Sequence, residues 1–368
     1  MIRRLVVALA TVTLVTGPLA GAAHAATPGT FAPTGSMSNA RSLHTATLLS
    51  DGHVLIAGGV NTFSPALSTA ELFDWTTGTF APTGSMVAAR FASNAVRLKD
   101  GRVLIVGGED ASHHSMASAE LYDPASGTFS AAGDMAASRL NPSVTLLKDG
   151  KVLVAGGYQG TSECCALSSA EIFDPATGKF TTTGSLSVGR RNQTATLMNN
   201  GSVLISGGYN GTDLNAPEIY IPKIGRFAKA PDMSSARRYP TATRLQDGRV
   251  LVAGGYKDKS TVILGTSDLY SSAKRTFSAG GAMVTPRGRQ TATLLKNGTV
   301  LLVGGYDGTY LASSELFNPK KGTFTSSGAM ATGRWRHTET RLPSGDVLIV
   351  GGANAKGALA SAEVYDAP

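Results

Sequence analysis

Three features of the sequence predict an all-β chain, a seven-bladed β-propeller of four-stranded blades. One unit of about 50 residues is written seven times. Each copy carries a tight turn with glycine between two short apolar runs, and the piece missing from the last copy stands near the start of the chain.

The repeat is anchored by a Gly-Gly pair whose first glycine is Gly58, Gly107, Gly156, Gly207, Gly254, Gly304 and Gly351, at spacings of 49, 49, 51, 47, 50 and 47 residues. An arginine stands 17 residues before each of them: Arg41, Arg90, Arg139, Arg190, Arg237, Arg287 and Arg334. After the arginine, Thr45 to Leu49 reads as a short strand, and Asp51-Gly52 reads as a two-residue type I′ hairpin turn. The same slot holds Asp-Gly or Asn-Gly in five further copies and Ser344-Gly345 in the last. Val54 to Ala57 then returns as a buried strand into Gly-Gly, where a side chain would block a bend or a close backbone approach.

A variable loop leads to a third strand, Ala70-Glu71-Leu72-Phe73-Asp74, and a fourth around Gly78-Thr79-Phe80. The second aromatic falls seven positions after the first in Tyr122/Phe129, Phe173/Phe180, Tyr220/Phe227, Tyr270/Phe277 and Phe317/Phe324, a spacing that lets rings on paired strands pack. The seventh copy ends at Tyr365-Asp366 with its outer strand missing, and Gly29-Thr30-Phe31 supplies it. The two ends are therefore expected to share one blade, which removes the open edge of a linear array.

Gly-Gly after a buried strand, one aromatic, and a second aromatic seven residues on resemble the kelch repeat, over residues 29–368, with Phe where kelch repeats more often carry Trp. The resemblance implies a β-propeller and does not fix an activity, because propellers host unrelated functions.

The first 25 residues read as a secretory signal. Arg3-Arg4 precede an apolar stretch, Leu5 to Val15, too short to span a membrane, and Ala23-His24-Ala25 fits a cleavage site. The expected domains are thus a leader over 1–25 and a propeller over 26–368, in a secreted, extracellular, monomeric protein without a membrane span. The formal charge is +8, with no dense Lys/Arg run of the kind that marks nucleic-acid binders, so nucleic acid is not an expected partner. The only cysteines, Cys164 and Cys165, are neighbours; an oxidising compartment permits a vicinal disulfide and the short Cα separation strains it, so both states stay open.

Strand direction puts the arginine and the loop after Gly-Gly at the same end of the ring, the rim where such scaffolds carry binding residues. The constant arginines are expected to pair with the repeated Glu or Asp of the third strand, Glu71 through Glu363, or to cap loop carbonyls. The variable positions just after them differ around the ring. Copies one to three carry Ser42-Leu43, Phe91-Ala92 and Leu140-Asn141, whereas copies four to seven carry Arg191-Asn192, Arg238-Tyr239, Gly288-Arg289 and Trp335-Arg336. Tyr158, Tyr209, Tyr256 and Tyr306 follow Gly-Gly in copies three to six and are expected to add aromatic surface. Arginine with Trp or Tyr suits carboxylate or phosphate groups on a carbohydrate.

Copy seven also carries His337, matching His44 in copy one, and Glu339 in a slot that is otherwise Ala or Val. Two imidazoles and a carboxylate suit a metal or acid/base work, but with no third histidine in register a buried Glu339–Arg pair is the commoner outcome, and no metal or cofactor is expected. The function expected from these residues is a binding module for an acidic glycan or a surface protein. The alternative is a carbohydrate-active enzyme of mutarotase or isomerase type, since sialic-acid mutarotases are similar kelch-type proteins that use arginine and a carboxylate; Glu339 with Arg289 or Arg336 would take those parts.

The repeat also resembles that of galactose oxidase and related copper radical oxidases. That resemblance implies a copper site on the same rim with a Tyr-Cys thioether, a Tyr-His pair and a histidine from an added domain. Tyr239 falls at the cross-linked tyrosine, but Asn192 stands at the cysteine, and Arg336-His337 or Leu43-His44 keeps the histidine while losing the tyrosine. No added domain is expected after Pro368, and copper radical chemistry is not expected.

Overall fold

The computed structural model describes residues 29–62, 65–160 and 166–368. The proposed leader and both cysteines lie outside the described residues. Seven four-stranded antiparallel sheets are arranged as blades, and each inner strand touches the inner strands of both neighbours, closing the ring. Blade 1 consists of Thr45–Leu48, Val54–Ala57, Ala70–Asp74 and Thr79–Pro82 from the axis outwards. The second strand is wholly buried in all seven blades, because its side chains pack into the neighbouring blade on either face.

Blade 7 joins the two ends of the chain. Its inner three strands are Thr338–Arg341, Val347–Val350 and Ala362–Tyr365, and Phe31–Pro33 pairs alongside as the outer strand with Phe31 opposite Tyr365. In every blade the two aromatics of the outer hairpin face each other with ring centroids 4.8–5.0 Å apart, and Phe31 with Tyr365 completes the set.

The inner hairpin turn differs from the two-residue type I′ form. In blade 1 the Leu49 N–H donates to His53 O and the Gly52 N–H to Leu49 O, which makes a three-residue loop. Only the glycine has positive φ, at 94°; Asp51 does not. The acidic residue serves another purpose, accepting the N–H two residues on through its side chain. Asp51, Asp100, Asp149, Asn200, Asp247 and Asn297 all do so, and Ser344 does it with its hydroxyl.

The repeated arginines are architectural. Each is essentially fully buried and meets the carboxylate of its own blade's third strand: Arg41–Glu71 at 2.8 Å, Arg139–Glu171 at 2.9 Å, Arg237–Asp268 at 2.7 Å and Arg334–Glu363 at 2.8 Å among them. Its other nitrogen donates to the first glycine's carbonyl, 17 residues on, and to a carbonyl at or just before the start of the third strand. The carboxylate in turn accepts an N–H of the segment that enters the blade, Ser38 for Glu71 and Ala136 for Glu171. One ion pair thus fixes the rim loop, the glycine bend and the crossover from the preceding blade.

Breaking such a pair leaves a buried charge without its counter-ion, so Glu171→Ala should lose about 3–5 kcal/mol in denaturant unfolding. Deleting residues 26–36 removes the outer strand of blade 7 and should lower the melting temperature by many degrees; an unchanged melt would refute closure through this strand.

Candidate functional site

The site is built by two residues that follow each repeated arginine. The first pairs with the residue after Gly-Gly in the same blade: Ser42 with Val60, Phe91 with Glu109, Leu140 with Tyr158, Arg191 with Tyr209, Arg238 with Tyr256, Gly288 with Tyr306 and Trp335 with Ala353. These bridges place both variable positions on one rim. The second residue adopts a left-handed conformation in every blade: Leu43, Ala92, Asn141, Asn192, Tyr239, Arg289 and Arg336 have φ between 50° and 57°. None of the seven is β-branched, as that conformation requires.

These residues form a belt around the axis, joined by backbone bonds at four of its seven blade junctions. Leu43 N–H donates to Arg336 O, Ala92 to Leu43 O, Asn141 to Ala92 O and Tyr239 to Asn192 O. Six of the seven side chains (Ala92 is the exception) line a cavity of about 430 Å³. Its polar wall also includes Asn94, Gln193, Gln290 and His337.

Charge is concentrated on one side of this cavity. The Arg289 guanidinium lies 4.0 Å from the Tyr239 ring and 4.8 Å from Trp335, and that of Arg336 lies 4.4 Å from Trp335. Among the described residues neither guanidinium has a carboxylate within ion-pair distance, in contrast to Arg238, which meets Asp213 at 3.2 Å. Burial and then the like charge of Arg289 push the Arg336 pKa down. Two cations held side by side without a counter-ion are poised for an anion.

The remaining sequence-predicted residues divide by burial. Arg191 and Arg238 are 7% and 8% exposed, and their guanidiniums stack on tyrosines: Arg191 on Tyr158 and Tyr209, Arg238 on Tyr209. Tyr209 and Tyr256 are buried rather than offering open aromatic surface: Arg191 and Arg238 lie over Tyr209, and Tyr256 packs edge-on against Tyr239. Tyr256 also spreads over Gly288, where a Cβ would lie 2.2 Å from its ring, and its burial pushes its phenol up to about 12. Tyr306 is half-buried and packs 5.4 Å from Trp335.

Tyr310 joins that pair at 5.3 Å and 5.7 Å and was not singled out in the sequence. It sits in the variable loop, and only the bridge between Tyr306 and Tyr310 folds it back beside Trp335. The opposite side of the rim is apolar, with Ala66, Phe91, Ala92 and Leu140 in one buried cluster.

His44 and His337 are ties between blades. His337 Nε2 meets Thr291 Oγ1 of blade 6 at 2.8 Å, and His44 Nε2 meets Thr338 Oγ1 of blade 7 at 2.9 Å. At the same position Gln193 and Gln290 donate to a carbonyl of the preceding blade, Ala155 O and Ala253 O. Burial drives His337 down to about 3 and His44 well below the usual imidazole range, so both are neutral at neutral pH.

Glu339 departs from the expected pairing with arginine. It does not line the rim cavity; it points from the inner strand of blade 7 towards Thr291 and Thr293 of blade 6. Both carboxylate oxygens are enclosed without a well-formed hydrogen bond, and burial pushes the group up to about 7. Arg289 and Arg336 are stacked on aromatic rings instead of reaching down to it.

Comparison with known proteins agrees with this architecture. The Kelch motif family matches residues 90–136 and 142–187, which are blades 2 and 3 with their entry segments. These two blades carry the Kelch motif. No curated protein matches the chain. A solved structure, a fungal alcohol oxidase of the AA5 family in complex with copper, superposes with a TM-score of 0.76 at 17% identity, over 93% of this chain and 77% of that one. At that identity the likeness shows the fold alone.

A copper centre does not fit the residues of this propeller. Asn192, not a thiol, stands beside Tyr239 on the belt, and the two rim imidazoles each turn to a threonine of the preceding blade. Among the described residues no group of three or more His, Cys, Asp or Glu is placed to hold a metal ion, and no helix is long and apolar enough to cross a membrane.

Because both histidines are neutral when folded, their contribution to stability is complete above the unfolded imidazole pKa of about 6.5 and is lost as pH falls towards the folded values. The double variant His44→Gln, His337→Gln keeps the polar tie used in blades 4 and 6. It should melt close to the wild type at about pH 8 and resist acid better below about pH 6; an unaltered acid limb of the stability profile would show that these imidazoles do not set it.

Proposed function

We propose that this kelch propeller is a binding module for an acidic glycan, with the anionic group held by Arg289 and Arg336 at the mouth of the axial cavity. The observation that carries this reading is the pair of guanidiniums without a carboxylate partner, fixed by Tyr239 and Trp335. The Trp335, Tyr306 and Tyr310 rings supply faces for sugar stacking. Asn141 and Asn192 supply carboxamides for hydroxyl groups across the cavity. Arg191 and Arg238 support the wall through their stacked tyrosines rather than meeting the ligand.

The Arg3-Arg4 and Leu5 to Val15 leader supports export, where such a glycan or a surface protein carrying one would be met. The mutarotase-type alternative needs a carboxylate at the bound sugar, and the Glu339 carboxylate is instead turned to Thr291 and Thr293 with both oxygens enclosed.

Calorimetry with oligosaccharides ending in a uronic acid, against their neutral counterparts, tests the reading. The wild type should prefer the acidic series, and Arg289→Ala with Arg336→Ala should weaken binding by about 10- to 100-fold, the worth of one or two charge-assisted hydrogen bonds. Equal affinity for the neutral series, or no binding to either, overturns it.

A further inference from the structure

The seam between blades 6 and 7 differs from the other six. At the second position of the inner strand, Ala46, Ala95, Val144, Ala195, Ala242 and Ala292 pack into apolar clusters between neighbouring blades. Blade 7 places Glu339 there. Across the seam it faces the Thr291 and Thr293 hydroxyls, and Thr291 is also the partner of His337, two residues before Glu339 on the same strand face.

The surrounding charges are committed elsewhere. Arg341 on the same strand donates to Leu294 O, Arg334 is paired with Glu363, and His44 of blade 1 is bonded to Thr338. Arg289 and Arg336 are stacked on the rim rings, and His337 is a neutral imidazole. Among the described residues no positive group balances a carboxylate in this position, so its ionisation places an uncompensated charge inside an inter-blade contact.

The same seam runs between the two cavity-lining guanidiniums, since Arg289 belongs to blade 6 and Arg336 to blade 7. We propose that Glu339 is a proton-sensitive joint: protonated, it lets blades 6 and 7 pack closely and holds Arg289 beside Arg336; ionised, it loosens the seam and the arginine pair with it. The consequence for ligand affinity rests on the anion-binding reading above, whereas the joint itself is measured without ligand.

The group is pushed up to about 7 by burial, so its folded-state pKa lies above its unfolded one. Its favourable state is therefore complete below the unfolded carboxyl pKa of about 4.3 and is lost as pH rises through the folded value. Melting curves from about pH 5.5 to about pH 8.5 compare the wild type with Glu339→Gln and Glu339→Ala, the latter restoring the residue of five other blades.

The wild type should melt close to Glu339→Gln at the acid end and progressively below it towards the alkaline end. Hydrogen exchange, corrected for its intrinsic pH dependence, should speed up over Thr291–Leu294 and Thr338–Arg341 with rising pH, but not over Thr194–Leu197 in blade 4. In a Trp75→Phe background Trp335 emission should shift over the same range, and the added Glu339→Gln change should abolish the shift. Parallel pH profiles for wild type and both variants, or faster exchange shared equally by blade 4, overturn the joint. A pH-dependent seam with no acidic-glycan binding at any pH leaves the joint standing and overturns the ligand assignment instead.

Discussion

The buried arginine–carboxylate clamp is the interaction on which the rest of the propeller depends. A guanidinium with five donors can hold a glycine carbonyl, a loop carbonyl and a carboxylate together, and no apolar side chain could bind all three. The clamp brings the rim loop, the second strand's glycine bend and the entry crossover to one point in each blade. Seven repeats of the same geometry close the ring, whose apolar residues are spread over separate clusters between blades. Desolvating such a pair is costly, so its contribution is better seen as geometric specification than as net stabilisation.

The clamp also frees the next two positions. The first is held by its bridge to the residue after Gly-Gly, and the second is turned by its left-handed backbone towards the axis. Constancy at the arginine therefore permits variety on the belt. Leu43 and Ala92 make one side apolar, while Arg289 and Arg336 make the other cationic. The left-handed conformation costs about 1–3 kcal/mol at a non-glycine residue, and the belt's backbone bonds help to offset it.

The blades, their order, the shared seventh blade and the arginine pairing were legible in the sequence, since each rests on residues repeated at fixed spacing. The inner turn departs from the type I′ form that Asp-Gly suggests, because the same dipeptide also suits a three-residue loop, where the aspartate caps a backbone N–H instead of adopting positive φ. Tyr310 was missed because it lies in a loop whose length and composition vary from copy to copy. Glu339 stood out as a departure from the repeat, but its surroundings belong to another blade, some 46 to 48 residues earlier in the chain.

The sequence by itself determined the repeat and hence the ring, because short-range spacing fixes strand, turn and clamp within one blade. It also marked copies four to seven as basic and aromatic. Which of those cations remain free was decided only by tertiary structure. Arg191 and Arg238 are buried, the latter against Asp213, while Arg289 and Arg336 line the axial cavity. The physical reason is that burial and counter-charge come from neighbouring blades and loops, contacts that no spacing within a single repeat encodes.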